Sequence, residues 1–383
     1  MVTRSSLGDA YPIDKLGNVV EFLDNMRRPV TESERISGPY PYYGANGIQG
    51  TISDFIFDEP LVLLAEDGGH FDNPDRGIAY RVSGRTWVNN HAHVLRPRRN
   101  IDINYLCRVL ENYDVKPFVT GTTRGKLTKG GASEIPIPLP PLPEQRRIAA
   151  VLDKADALRA RRRESLAQLD ELTQSIFIEM FGDPVTNPKG WPKQTLGELT
   201  EKITDGEHLN PDFSEFGMPI IMAGNVLEDS VDIFGAKKVT EALGDRFRVK
   251  CKPELGDLLM VSRGATIGRM CAVKTLEAFC LMGSVILIKV KKDKVNTDFV
   301  ASLLKYPDMR RTLYKTSGSS AQQAIYLKDL KNLSCMIPPL EYQQHFSERM
   351  TVVSAQKKLQ QNKLAELGSL FSSLQHRAFR GEL

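Results

Sequence analysis

The 383 residues, 41% of them hydrophobic, suffice for two or three domains with substantial cores rather than one. Lysine and arginine (51) nearly balance aspartate and glutamate (47), so the net charge of +4 permits a polyanionic partner without identifying one. Five cysteines with no CxxC pair indicate neither a disulfide framework nor a zinc knuckle, and no stretch reaches the ~18 apolar residues of a membrane span, so the chain reads as a cytoplasmic protein with reduced, buried thiols.

Met1 to Tyr11 carries no apolar run between a basic residue and a cleavage site, so no secretory leader is expected. Residues 1–138 read as a mixed α/β domain, with short apolar strands such as Leu61 to Ala65 among glycine-rich turns. This block opens on Tyr11-Pro12 and Leu16-Gly17 and closes on the turn Gly121 to Leu127. Residues 139–184 predict one long helix: Ile148, Leu152, Ala155, Leu166, Leu169, Ile176 and Met180 fall on 3 and 4 spacings, with no proline between Glu144 and Pro184. A second mixed block, 185–336, has strands at Leu258 to Val261 and Val285 to Val290, opens on Trp191-Pro192 and Leu196-Gly197, and closes on Ser317 to Ile325. Residues 337–383 predict a second helix, striped by Phe346, Met350, Val353, Leu364, Leu367, Phe371, Leu374 and Ala378.

The two helices are one text written twice. Pro140, Pro141, Leu142 and Gln145 recur as Pro338, Pro339, Leu340 and Gln343, and Leu166, Ala167, Leu169, Leu172, Ser175 and Phe181 recur as Leu364, Ala365, Leu367, Leu370, Ser373 and Phe379, all at one offset of 198 residues. Each helix of about 37 to 39 residues would be roughly 55 to 58 Å long and needs a partner along its whole stripe. The expected fold is α+β: two mixed α/β domains related by a pseudo-two-fold, separated by two long helices packed as an antiparallel coiled coil. Both seams lose apolarity at mid-length, at Arg159 and Arg162 and at Lys357 and Gln360. The five residues from Arg159 to Arg163 read as a solvated face with snorkelling stems, the alternative being a contact to phosphate or an acidic helix.

Between the helices the blocks diverge, so two equivalent positions carry different surfaces. DNA fits that plan: a pseudo-symmetric protein reads two half-sites at a spacing set by its own geometry, and dissimilar readers make the site asymmetric. Tyr40, Tyr42, Tyr43 and Asn46 offer aromatic and amide groups on a flexible turn, and Arg124 and Lys126 offer phosphate charge. In the second block Arg263 offers a bidentate contact to guanine, and the loop with Ser319, Gln322 and Gln323 matches the position of the Arg124 loop. His91 and His93, two apart on an expected strand, project to one face; structural hydrogen bonding, a DNA contact beside Asn89 and Asn90, or a zinc site are the readings, the last lacking a third ligand.

Chemistry is not indicated. A methyltransferase needs a Gly-rich cofactor loop and an Asn-Pro-Pro-aromatic tetrapeptide, and Asn187-Pro188-Lys189-Gly190 reads as a turn. Gly121 to Thr128 is one residue short of a phosphate loop, with Leu127 where a metal-binding hydroxyl belongs. Asp308 with Asp329 and Lys331 forms only a loose nuclease pattern in a polar, lysine-rich surface.

Over essentially its whole length the chain resembles the specificity (S) subunits of type I restriction-modification systems. The carriers are PLPPLPEQRRIAAVLDKADAL from Pro138, IPPLEYQ from Ile337 and AFRGEL from Ala378, with YYGANGIQG from Tyr42 and NNHAHVL from Asn89 in support. The resemblance implies a non-catalytic subunit whose two target recognition domains each read half of a bipartite site on double-stranded DNA. It implies helices that act as spacer and dock two modification (methyltransferase) subunits, which restriction subunits then join. Docking then falls to Gln145, Ile148, Leu152, Leu169 and Ile176 and to Gln343, Phe346, Met350, Leu367 and Leu374. No cofactor or metal is expected on this chain; S-adenosylmethionine, ATP and magnesium are expected on the partner subunits. Glu341-Tyr342-Gln343 departs from Pro143-Glu144-Gln145, which touches only the capping of the second helix. The alternative is a coiled-coil protein scaffold without sequence-specific DNA binding; a stand-alone restriction enzyme or methyltransferase lacks its motifs.

Overall fold

The computed structural model describes residues 3, 7, 8, 10–73, 76–121, 125–316 and 324–383. The chain forms two compact units, Met1–Glu164 with Gln361–Leu383, and Ser165–Gln360. The helices in chain order are α1 (Leu16–Val19), α2 (Ile103–Leu110), α3 (Lys129–Ser133), α4 (Leu142–Phe181), α5 (Glu241–Lys250), α6 (Thr297–Lys305), α7 (Pro307–Thr316), α8 (Leu327–Asn332) and α9 (Leu340–Arg380). None is long and apolar enough to cross a membrane.

The first unit contains β1 (Ile13–Lys15), β2 (Val20–Phe22), β3 (Tyr40–Gly44), β4 (Gly47–Ile52) and β5 (Phe57–Asp58). It continues with β6 (Leu61–Ala65), β7 (Ala79–Val82), β8 (Arg85–Val88), β9 (Ala92–Pro97) and β10 (Pro136–Pro138). Its main sheet has the order β2-β9-β6-β7 and a second has β4-β3-β8-β5, with β3 and β8 parallel. Every residue of β6 is buried, and the pleat explains how: Val62 and Leu64 enter the core shared with α2 and the long helices, while Leu61 and Leu63 enter the core between the sheets.

The second unit repeats this plan with β11 (Lys193–Thr195), β12 (Thr200–Asp205), β13 (Met218–Ile221), β14 (Lys237–Val239) and β15 (Leu258–Val261). Then follow β16 (Met270–Ala272), β17 (Cys280–Leu281), β18 (Val285–Val290) and β19 (Ser334–Met336). The orders are β12-β18-β15-β16 and β14-β13-β17, again with one parallel pair, and β15 divides its residues between two cores as β6 does.

The opening and closing motifs of each block meet in space. β1 pairs antiparallel with β10 and β11 with β19, and Leu139 N donates to Pro12 O as Ile337 N donates to Pro192 O. The Leu-Gly steps are there for close approach: a Cβ on Gly17 would sit 3.0 Å from Ser133 Cβ, and one on Gly197 3.2 Å from Lys331 O.

The long helices run 40 and 41 residues, starting slightly earlier than Glu144 suggests because Pro143 sits in the first turn, where its missing N–H leaves no helical bond unmade. In the first unit Leu152 of α4 shares a core with Phe371 and Phe379 of α9; in the second, Phe177 and Phe181 of α4 pack edge-to-face on Phe346 of α9. The start of each helix thus packs on the end of the other, the antiparallel arrangement expected.

Several expected docking residues are turned inward instead. Gln145, Ile148, Leu152, Gln343 and Phe346 are at most 1% exposed, Met350 is 8% exposed, and Leu169, Ile176 and Leu374 pack on the same cores, so these side chains are filled by the chain itself. Leu367 is partly buried. Of the mid-helix cations Arg161 and Arg163 are exposed, as a solvated face requires, but Arg159 and Lys357 are largely covered. The Arg159 guanidinium lies 4.6 Å from the Phe371 ring centroid and pairs with Asp156, and Lys357 Nζ reaches Asp170 across the helices at 2.6 Å. All five thiols are buried, and burial pushes Cys107, Cys251, Cys271 and Cys335 up to about 12.

Candidate nucleic-acid interface

In the first unit the ends of β3, β6 and β8 and the segment reaching Leu127 converge into one rim. Asn89 N donates to Tyr43 O at 3.0 Å, Glu66 N to His91 O at 2.9 Å and Leu127 N to Glu66 O at 2.7 Å. Asn46 Nδ2 ties the β3–β4 turn to Gly68 O at 3.0 Å. Tyr43, Asn46, Asn89, His91 and Lys126 are thereby brought together. Tyr43 is half-buried 5.8 Å from the Tyr80 ring, and burial raises its phenol above the ordinary value. His91 Nδ1 lies 2.5 Å from Asp67 Oδ1 with the imidazole 39% exposed, and the Lys126 ammonium, half exposed, reaches Glu66 at 3.0 Å.

Two expected contacts fall elsewhere, and a third, Asn89, belongs to the rim but is buried. Tyr42 is 2% exposed, its hydroxyl donates to Val30 O and accepts from Val30 N, and Arg35 covers its ring at 3.9 Å, so it is a core residue. Asn89 is 4% exposed and spends its amide on Gln49 Oε1 and His91 N, shaping the turn. Tyr40 sits at the opposite end of β3, where its hydroxyl accepts from Arg85.

His91 and His93 do not share a face. His91 lies on the turn before β9, whereas His93, inside β9, is 1% exposed between Asp24 Oδ2 (2.7 Å) and Leu127 O (2.8 Å). Ligand atoms of Asp24, Glu66 and His93 lie within 4.8 Å of one another, the spacing of a metal site. Arg27 already stands there, 2.5 Å from Glu66 and 3.5 Å from Asp24, so the group is a charge-paired floor beneath the rim and its cation opposes a metal ion. Burial alone would raise both carboxyls; the hydrogen bond from His93 to Asp24 and those from Arg27 and Lys126 to Glu66 outweigh it and hold both below the usual range.

The second unit builds its rim on the same backbone bonds. Met282 N donates to Ile221 O at 3.0 Å, Ser262 N to Ser284 O at 2.9 Å and Ile325 N to Ser262 O at 2.8 Å. The bridge between Arg263 and Ala324 repeats that between Asp67 and Lys126. Equivalent positions therefore carry different chemistry, reversed in charge at Asp67 against Arg263 and changed at Lys126 against Ala324, His91 against Ser284 and Asn89 against Met282. Arg263 is exposed, next to Gly264, whose φ of +96° and empty surroundings leave the turn open. Asp205, at the end of β12, pairs with His208 (2.8 Å) and Lys250 (3.1 Å), occupying the place of Asp24 in the first unit. Arg124, Ser319, Gln322 and Gln323 lie outside the described residues.

Sequence reasoning missed Asp67, Glu66, Ser284, His208 and Lys250. For Glu66 and Asp67 the signal was present, since they directly follow the apolar strand β6 as Ser262 and Arg263 follow β15, but Ser284, His208 and Lys250 lie before β18, after β12 and at the end of α5, and the offset drifts from 198 at the helices to 193 at His91 and Ser284.

A family model for the type I restriction modification DNA specificity domain matches residues 11–170 and 188–369. A putative type I restriction enzyme specificity subunit of Haemophilus influenzae is 28% identical over 358 residues, covering 87% of this chain and 84% of its own. The MjaVIII specificity subunit of Methanocaldococcus jannaschii is 23% identical, with 89% and 85% covered. Among solved structures, a type I restriction-modification S subunit from M. genitalium aligns over 97% of both chains with a TM-score of 0.59 at 13% identity. A chain from a study of complex assembly and conformational transition of the type I R-M system aligns over 98% of this chain and 99% of its own, with a TM-score of 0.51 at 20% identity.

Proposed function

The chain belongs to the type I restriction-modification DNA specificity family, and from that premise we propose how its two units divide the work. Each rim reads one half of a bipartite, asymmetric site on double-stranded DNA, and the helices that run through both units act as the spacer. The chain itself is the non-catalytic specificity subunit of the complex. Two modification subunits dock on it and restriction subunits join them; S-adenosylmethionine, ATP and magnesium belong to those partners.

One observation carries this reading: an identical backbone frame presents Asp67, His91 and Lys126 in one unit and Arg263, Ser284 and Ala324 in the other. A shared scaffold with exchanged side chains is what two readers of different sequence require. For docking, the duplicated pair Leu172 and Leu370 is 44% and 49% exposed, in place of the inward-facing residues.

The test is gel-shift binding of the chain with its methyltransferase subunit to a bipartite duplex. Affinity should fall steeply with salt, and Arg263→Ala should cost about 1–3 kcal/mol at one base pair of a single half-site. Uniform weakening over all sequences would make Arg263 a phosphate contact, and salt-independent binding would favour a protein scaffold.

A further inference from the structure

The features the two units share on their surfaces are as informative as those in which they differ. In the first unit a groove of about 320 Å³ is walled by Arg98, Arg99, Asp102, Leu142 and Arg146. In the second, a groove of about 410 Å³ is walled by Lys274, Lys292, Asn296, Leu340 and Gln344. The walls correspond: Asp102 and Asn296 cap α2 and α6, Leu142 and Leu340 begin the long helices, and Arg146 and Gln344 follow one turn on.

The match has a cause. Gln145 Oε1 accepts from Asp102 N and Gln343 Oε1 from Asn296 N, both at 2.8 Å, so one buried amide fixes the angle between short and long helix in each unit. The inner cations are spoken for in parallel fashion: Arg96 pairs with Glu21 and Glu59, and Lys289 with Glu254 and Asp257. The outer cations are in excess. Arg98, Arg99, Lys274 and Lys292 are exposed, with Asp298 the carboxylate that lines the second groove, and Arg146, 68% exposed, pairs with Asp102 at 3.7 Å.

The grooves are not where the rims are. β9 begins at the rim with Ala92 and ends at the groove with Pro97, a separation of roughly 17 Å, and β18 runs from Val285 at its rim to Val290, two residues before the groove residue Lys292. The groove is thus set apart from the side chains that differ at the rim. Because groove position is kept while rim chemistry changes, the occupant is the same in both units, whereas the DNA half-site is not.

We propose that the two grooves are paired docking sites, each taking an acidic segment from one of two copies of the methyltransferase subunit; this rests on the specificity-subunit function proposed above. The carboxylates meet the outer cations, and an apolar neighbour covers Leu142 or Leu340.

The experiment is native mass spectrometry of the full chain co-expressed with its methyltransferase subunit. Arg99→Glu with Arg146→Glu should cut the complex from two methyltransferase copies to one, as should Lys274→Glu with Lys292→Glu, and all four together should leave none. Should a reversal unfold the chain, the corresponding glutamine pairs remove the charge without adding repulsion and should weaken assembly at least tenfold. Two copies retained in the fourfold glutamate variant, with its circular dichroism unchanged, would overturn the proposal. Lost DNA affinity at intact stoichiometry would also overturn it and assign the grooves to phosphate. A wild-type chain that never holds two copies sinks the underlying function instead.

Discussion

Gln145 and Gln343 hold the same groups 198 residues apart. Each accepts from a helix-capping residue and donates to the proline carbonyl five residues before it, Pro140 O at 2.9 Å and Pro338 O at 2.8 Å, with further bonds to Asn100 O and Lys294 O. Replacing either with alanine orphans buried backbone groups, so Gln145→Ala should cost about 2–4 kcal/mol of stability in its unit and Gln343→Ala a similar amount in the other. Urea unfolding of the full chain checks this, and a loss below about 0.5 kcal/mol would mean that water replaces the amide. These glutamines were visible in the sequence as a repeat, yet their role was not. Apart from the prolines, their partners lie 43 to 49 residues upstream and carry no signal of their own. Tyr42 and Asn89 were misread for the same reason: a polar side chain in a glycine-rich turn shows its burial only once the strands beside it are paired.

Among elements, the long helices were the most legible, because a 3.6-residue stripe sustained over ten turns has one interpretation and matching registers imply mutual packing. Short strands were recognised singly, but their order was not, since pairing between distant segments leaves no local trace. Nor did the stripe announce the charge cluster that joins three helices in the first unit. Arg108 of α2 meets Glu111, Asp153 and Asp156 at 2.9, 2.7 and 3.2 Å, and Gln375 of α9 donates to its carbonyl. Burial pushes Glu111 up to about 7, with Asp156 adding to the rise and Arg108 opposing it. The folded state then holds a proton that the unfolded chain releases from about pH 4.5 upward, so stability falls as pH rises from there to about 7, on the order of 1 kcal/mol per unit. Glu111→Gln should remove this slope while keeping the hydrogen-bonding shape. Unfolding midpoints at pH 5.5 and 7.5 measure it; equal slopes in wild type and variant would refute it.

For the whole molecule, the argument turns on what is duplicated and what is not. Helices, glutamine clamps and basic grooves recur; rim side chains do not. That division assigns distance and assembly to the repeated parts and sequence choice to the divergent ones. The helices proposed as the spacer carry no proline after the first turn of α4 and none in α9, and the mid-helix positions Arg159 and Lys357 meet Phe371 and Asp170. One base pair added between half-sites shifts them by about 3.4 Å and turns them by roughly 35°. Meeting that change requires bending the DNA or abandoning one rim, and the second forfeits the specific contacts of a whole half-site. Adding or removing one base pair should therefore weaken binding of the chain with its methyltransferase subunit by at least about tenfold, or ~1.4 kcal/mol, relative to the preferred spacing. The comparison is competition binding over duplexes that differ in spacer length alone. A flat profile would mean that the helices join the readers without measuring between them.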